Sequence, residues 1–109
     1  MAFDEGLGER VRALFDGAPD VTERRMFGGL AFLVAGNLAC GIIGVDLLVR
    51  VSRDDYDATL ARPHARPMDF TGRPMRGFVV VDAGALDEDD ELASWVQRGC
   101  AFAASLPAK

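Results

Sequence analysis

The sequence predicts an α+β domain in which a mainly antiparallel sheet of five to six strands carries helices, in the order α-β-β-β-β-α-β-β-α. Three observations predict it. The uncharged run MFGGLAFLVAGNLACGIIGV, residues 26–45, is broken by five glycines and Asn37. Tight-turn signals separate the apolar stretches, so neighbouring strands are joined by hairpins, which only antiparallel strands allow. Helical periodicity is confined to the two ends and one short central stretch. At 109 residues the chain is expected to form one domain, 1–109, large enough to bury a core without metal or disulfide staples.

The opening segment places Phe3, Leu7, Val11, Leu14 and Phe15 at helical spacing, with Glu9, Arg10, Arg12 and Asp16 largely opposite. Gly17 and Pro19 stop it, since glycine accepts a left-handed cap and proline cannot continue a helix. The uncharged run is long enough to span a bilayer, which needs about 20 apolar residues. Its glycines and the Gly36-Asn37 pair favour a hairpin instead, with arms around Leu30–Val34 and Leu38–Ile43. Gly28-Gly29 is expected at a bend or bulge between strands. A phosphate loop would need a helix after the glycines, and here a β pattern follows. A second turn at Gly44-Val45-Asp46 leads into a strand with Leu47, Val49 and Val51 on one face.

Residues 53–61 suit a short helix, capped by Ser52 with Asp55 at the third position and with Tyr56 and Leu60 facing inward. Pro63 ends it. The stretch RPHARPMDFTGRPMRG, residues 62–77, repeats Arg-Pro three times. Proline keeps much of it extended or turning. Met68 and Phe70 suggest a short strand, Thr71-Gly72 a turn, and GFVVV at 77–81 a further strand. The last helix has the strongest periodicity, with Leu92, Trp95, Val96, Gly99, Phe102, Ala103 and Leu106 on one face. Asp87 is its expected cap, acids 88–91 complement its amino end, and Pro107 terminates it.

The net charge of -5 disfavours general coating of nucleic acid, which relies on clustered cations. That average conceals a basic centre. Residues 24–81 carry eight arginines against five acids, whereas six acids face two bases in each of 1–23 and 82–109. Cys40 and Cys100 have no ligand-like neighbours and read as reduced, buried thiols. MAFDEGLGER lacks the apolar core of a secretory signal, so cytoplasmic residence is expected.

Catalytic chemistry is hard to assemble. His64 is the only histidine and falls in a loop, no serine sits in a nucleophile turn, and no grouping has zinc spacing. Asp54, Asp55 and Asp57 would point in different directions on a helix. Asp69 beside Phe70 would have a perturbed pKa if buried. No catalytic residue, metal or cofactor is expected. The strongest binding candidate is a set of arginines, Arg62, Arg66, Arg73 and Arg76, on a stiff proline-rich loop, extended by Arg25. Guanidinium groups bind carboxylates and phosphates bidentately. The competing expectation is that they pair with the acidic terminal helices.

RRMFGG at 24–29, the hairpin with Gly36-Asn37, DLLVRV at 46–51, PMDFTGRPMRGFVVVD at 67–82 and the Trp95-bearing helix resemble the N-terminal domain of the TfoX/Sxy family. The resemblance implies a compact fold with a curved antiparallel sheet, and a structural role for Met26, Phe27, Gly28 and Gly29. It brings no catalytic residue. Full-length members regulate natural competence as coactivators with a cyclic-AMP-receptor-type transcription factor and carry a second, helical domain. This chain ends beyond its last helix, as stand-alone versions do. The expected function is a non-enzymatic interaction module, an accessory to transcriptional regulation that acts through a protein partner. The alternatives are a small-molecule or anion-binding domain using loop 62–76, and a homodimer formed through a sheet edge or face. Direct nucleic-acid binding ranks lower, and no membrane contact is expected.

Overall fold

The computed structural model describes residues 3–26, 28–68, 72 and 75–108. Helix α1 (Glu5–Leu14) is followed by β1 (Val21–Met26), β2 (Gly29–Val34), β3 (Asn37–Ile43) and β4 (Asp46–Arg50). Then come α2 (Arg53–Leu60), β5 (Ala65–Pro67), β6 (Phe78–Val81), a 3-10 turn at Ala83–Ala85, and α3 (Asp89–Ala104). The strands form one six-stranded sheet in the order β1-β2-β3-β4-β6-β5, with every neighbouring pair antiparallel. The expected element order and fold class hold. Among the described residues no helix is long and apolar enough to cross a membrane, because the uncharged run lies in β2 and β3 and the turns around them.

The helices pack on one face of the sheet. Phe32, Cys40, Ile42, Leu47, Val49, Val79 and Val81 meet Leu7 and Val11 of α1, Tyr56 of α2, and Leu92, Trp95 and Val96 of α3. The opposite face carries Ala31, Leu33, Leu38, Leu48 and Val80, packed with Met68 from the chain after β5. Both faces are buried, which is why β2 and β3 contain so few polar residues.

Several elements differ in detail from expectation. Asp4 caps α1, its carboxylate accepting the Leu7 N–H at 3.2 Å. Phe3 therefore lies outside the helix, bridged to Gly44. Phe15 stacks on Phe32 with ring centroids 5.4 Å apart and takes the last inward position. Leu14, expected in the core, is left 46% exposed. The first hairpin turns at Ala35-Gly36, one residue earlier than Gly36-Asn37. Ala35 and Gly36 have φ of 51° and 86°, and Val34 pairs with Asn37 across the turn. Positive φ at both central positions marks a type I′ two-residue hairpin. Asn37 is drawn into β3 because its buried Nδ2 donates to the Pro107 carbonyl at 2.9 Å.

A bulge interrupts the β2–β3 ladder. Phe32 pairs with Cys40 but Leu33 with Leu38, which leaves Ala39 as the extra residue. The simple alternation expected along β3 therefore breaks, and Leu38 and Cys40 face opposite sides. Strand β5 forms at Ala65–Pro67, before the expected Met68/Phe70 position. Pairing of Ala65, Arg66 and Pro67 with Val81, Val80 and Val79 sets its place, and Met68 is left to turn onto the second face. Phe70, Thr71 and Asp69 lie outside the described residues. Ser52 caps α2 as expected, accepting the Asp55 N–H at 3.1 Å. Asp87 does not cap α3. Glu88 occupies that position without a side-chain bond, so the amino end of α3 relies on Asp89, Asp90 and Glu91 in its first turn.

Cys40 is fully buried and Cys100 half-buried, and both are free thiols. Burial pushes both above the ordinary thiol range, which suppresses the reactive thiolate.

Two glycines are fixed by contact with backbone. A Cβ on Gly99 would lie 2.1 Å from the Ala39 carbonyl oxygen, and one on Gly29 would lie 2.0 Å from that of Ile42. Gly99→Ala and Gly29→Ala should each destabilise the fold by about 1–3 kcal/mol or more, as overpacked cores do. Urea unfolding would measure this as a lower midpoint with an unchanged slope. Ala35→Asn should act the other way. A left-handed alanine costs about 1–2 kcal/mol and asparagine tolerates that conformation, so a gain of about 0.5–1 kcal/mol and a higher melting temperature are expected.

Candidate functional site

The structure disperses the arginines singled out from sequence. Arg66 lies on β5 opposite Val80, on the face away from the helices. Its guanidinium binds Asp82 and, at 2.9 Å, Asp46. Asp46 also accepts the Ala83 N–H at 3.0 Å, so this network fastens β5 to the start of β4 and the end of β6. Arg76 stands 3.6 Å from the Asp57 carboxylate and 5.2 Å from the centre of the Tyr56 ring. Arg62 lies 5.5 Å from the centre of the Trp95 ring, as does Arg98 of α3. Arg25 is at the other edge of the sheet, 5.5 Å from the Phe3 ring centre. Arg73 lies outside the described residues. Arg66 and Arg76 thus pair with Asp46, Asp57 and Asp82 rather than with the terminal helices.

Trp95 Nε1 and the Tyr56 hydroxyl are buried and have no hydrogen-bond partner among the described residues. The cations stacked on these two rings supply about 0.5–1 kcal/mol each where exposed; Arg62 links the end of α2 to α3, and Arg76 links α2 to the segment before β6. A cleft of about 450 Å³ opens between α2 and α3, where Ser52, Asp55, Thr59, Arg98, Phe102 and Ser105 line it. Its hydroxyls are already engaged. Thr59 Oγ1 donates to the Asp55 carbonyl at 2.7 Å, Ser105 Oγ donates to that of Phe102 at 2.6 Å, and Ser52 caps α2. His64 is exposed, with φ of 69°. Among the described residues no group of three or more His, Cys, Asp or Glu could hold a metal ion.

One open edge of the sheet is β1. It is an edge strand whose residues 22–25 are all exposed. Four consecutive polar residues, Thr22 to Arg25, are the sequence signal of this edge position, which the Arg-Pro repeats do not carry. Alternation points Arg25 and Glu23 toward α1, and Arg24 and Thr22 to the other face. Arg24 and Arg25 are thus split between the faces. Arg12 of α1 binds Glu23 through two parallel bonds, 2.5 and 2.7 Å long. That pairing holds the Glu23 carboxyl below the usual glutamate range and raises Arg12. Between α1 and β1 lies a cleft of about 300 Å³, lined by Phe3, Gly8 and Leu30 among apolar residues and by Glu5, Glu9 and Arg25 among charged ones.

Two of the motif residues beside this edge have structural reasons to be glycine. Gly28 has φ of 73° in the turn between β1 and β2, and Gly29 faces the Ile42 carbonyl. Met26 packs partly buried on the second face. Phe27 lies outside the described residues.

A depressed carboxyl pKa stabilises the fold above the unfolded-state value, and the benefit disappears as pH falls through the folded value. Glu23→Gln should therefore lower the melting temperature near neutrality. The deficit should shrink as pH falls to about 3, below the ordinary glutamate value of about 4.3. Thermal melts of both proteins across that range would check this, and a deficit independent of pH would contradict it.

Comparison with known protein families matches the TfoX N-terminal domain over residues 13–103, from the last turn of α1 almost to the end of α3. A search of the curated proteins found no match. With most of its length matched, and with the six-stranded sheet and the glycine pair after β1 in place, the chain belongs to the TfoX N-terminal domain family.

Proposed function

We propose that this domain is a non-enzymatic interaction module, acting in the cytoplasm through protein contacts as an accessory to transcriptional regulation of the competence-regulator type. The observation that carries this reading is the open edge of β1, exposed over residues 22–25 beside the cleft against α1. Membership of the family supports the regulatory setting. The net charge of -5 supports protein contacts over autonomous DNA binding. A second reading, small-anion binding, draws on Arg62 and Arg98, which share the Trp95 ring and have no carboxylate partner among the described residues. Stabilisation by inorganic phosphate of the wild type but not of Arg62→Ala would favour it.

The immobilised chain, incubated with lysate of its source cells, should retain a specific protein and show no salt-sensitive retention of duplex DNA. Salt-sensitive DNA binding with no protein partner would reverse the proposal.

A further inference from the structure

The two edges of the sheet are built differently. Strand β5 is three residues long, ends in Pro67, and has Arg66 tied to Asp46 and Asp82. Shortness and proline are common means of blocking an edge. Strand β1 has six residues, no proline and four exposed positions. The direction of its backbone groups follows from the ladder. The Ala35 N–H donates to the Asp20 carbonyl at 2.8 Å, in register with the pairing of Val21 to Val34. Hydrogen-bonded pairs alternate in an antiparallel ladder, so Thr22, Arg24 and Met26 bond to β2, and Val21, Glu23 and Arg25 direct N–H and C=O outward. The Val21 N–H is used by the Ala18 carbonyl. By the same alternation, those of Glu23 and Arg25 point away from β2.

We infer that β1 accepts an additional strand from a partner, an extended segment that alternates acidic with small apolar residues. This rests on the interaction-module reading. Glu23 is already bonded to Arg12, so Arg24 and Arg25 carry the uncompensated charge of the edge. Arg24 lies on the face away from α1 and has no ion-pair partner among the described residues. Acidic side chains of the added strand belong on that face. The α1 side is mixed, with Glu5 and Glu9 beside Arg25 and the Glu23-bound Arg12, and Phe3, Gly8 and Leu30 offer apolar contact there. A second copy of β1 fits poorly. Two-fold pairing about Glu23 sets Glu23 against itself, pairing about Arg24 or Arg25 does the same for those residues, and pairing about Thr22, which avoids this, overlaps only residues 21–23 of the strand. Like charges directly opposite are destabilising.

The test begins with selection from a random-peptide library on the full chain, and continues with affinity measurements on the selected peptides. Acidic residues at alternate positions are expected. Arg24→Glu should weaken binding roughly tenfold, as loss of a charge-assisted contact does. Arg25→Pro removes an outward N–H but no bond to β2, so it should weaken binding more than Arg25→Ala while leaving the circular dichroism unchanged. Amide exchange on the wild type avoids any folding defect of the proline variant. The Glu23 and Arg25 amides should become protected when peptide binds. Bound peptide with both amides unprotected overturns strand addition and leaves the interaction module standing, as does a protein partner captured without any selected linear peptide. Neither peptide nor protein partner overturns both. Light scattering that shows a dimer, lost in Arg25→Pro, assigns the edge to a second copy and overturns the acidic partner.

Discussion

The seating of α3 on the sheet depends on one backbone contact, between Gly99 and the Ala39 carbonyl. Ala39 is the extra residue of the β3 bulge, and its carbonyl lies where any side chain at position 99 would stand. The close approach lets Leu92, Trp95 and Val96 reach the strands directly. Removing a large aromatic such as Trp95 from water is worth several times an ordinary surface contact. The same bulge places Leu38 on the second face while Cys40 stays on the first.

The ends of the chain are tied to this arrangement by polar contacts. Asn37 bonds the Pro107 carbonyl beyond α3, Asp4 N–H donates to the Gly44 carbonyl at 2.7 Å, and Arg10 pairs with Asp89 at 3.0 Å. The Arg10–Asp89 pair is exposed and contributes little to stability. It does join the two acidic terminal segments through a cation of their own. Arg66 and Arg76, by contrast, are spent on fastening β5 and α2. The β1 edge keeps outward backbone groups and an Arg24 that is free of carboxylates among the described residues.

The glycine pair of the RRMFGG segment shows why a family motif need not mark chemistry. Gly28 is required by its backbone angle and Gly29 by the Ile42 carbonyl. Both requirements come from the turn that sends β2 back along β1. The motif's recognisable residues thus shape the edge, and the arginines ahead of them supply its charge.

The sequence by itself determined the fold class, the element order and the hairpin character of residues 26–45, because these follow from local periodicity and turn chemistry. Ser52 as a cap and the inward face of α3 were legible for the same reason. Only the tertiary structure decided the rest. Asn37 left its expected turn for a carbonyl 70 positions away, Leu38 crossed faces at a bulge, and β5 formed where β6 could pair with it. The candidate arginines were legible as a charged set, but their separation was not, since pairing with Asp46, Asp57 and Asp82 depends on which strands and helices become neighbours. The openness of β1 was decided in the same way. A strand is an edge only by virtue of its position in the sheet, and strand order arises from contacts between residues far apart in the chain.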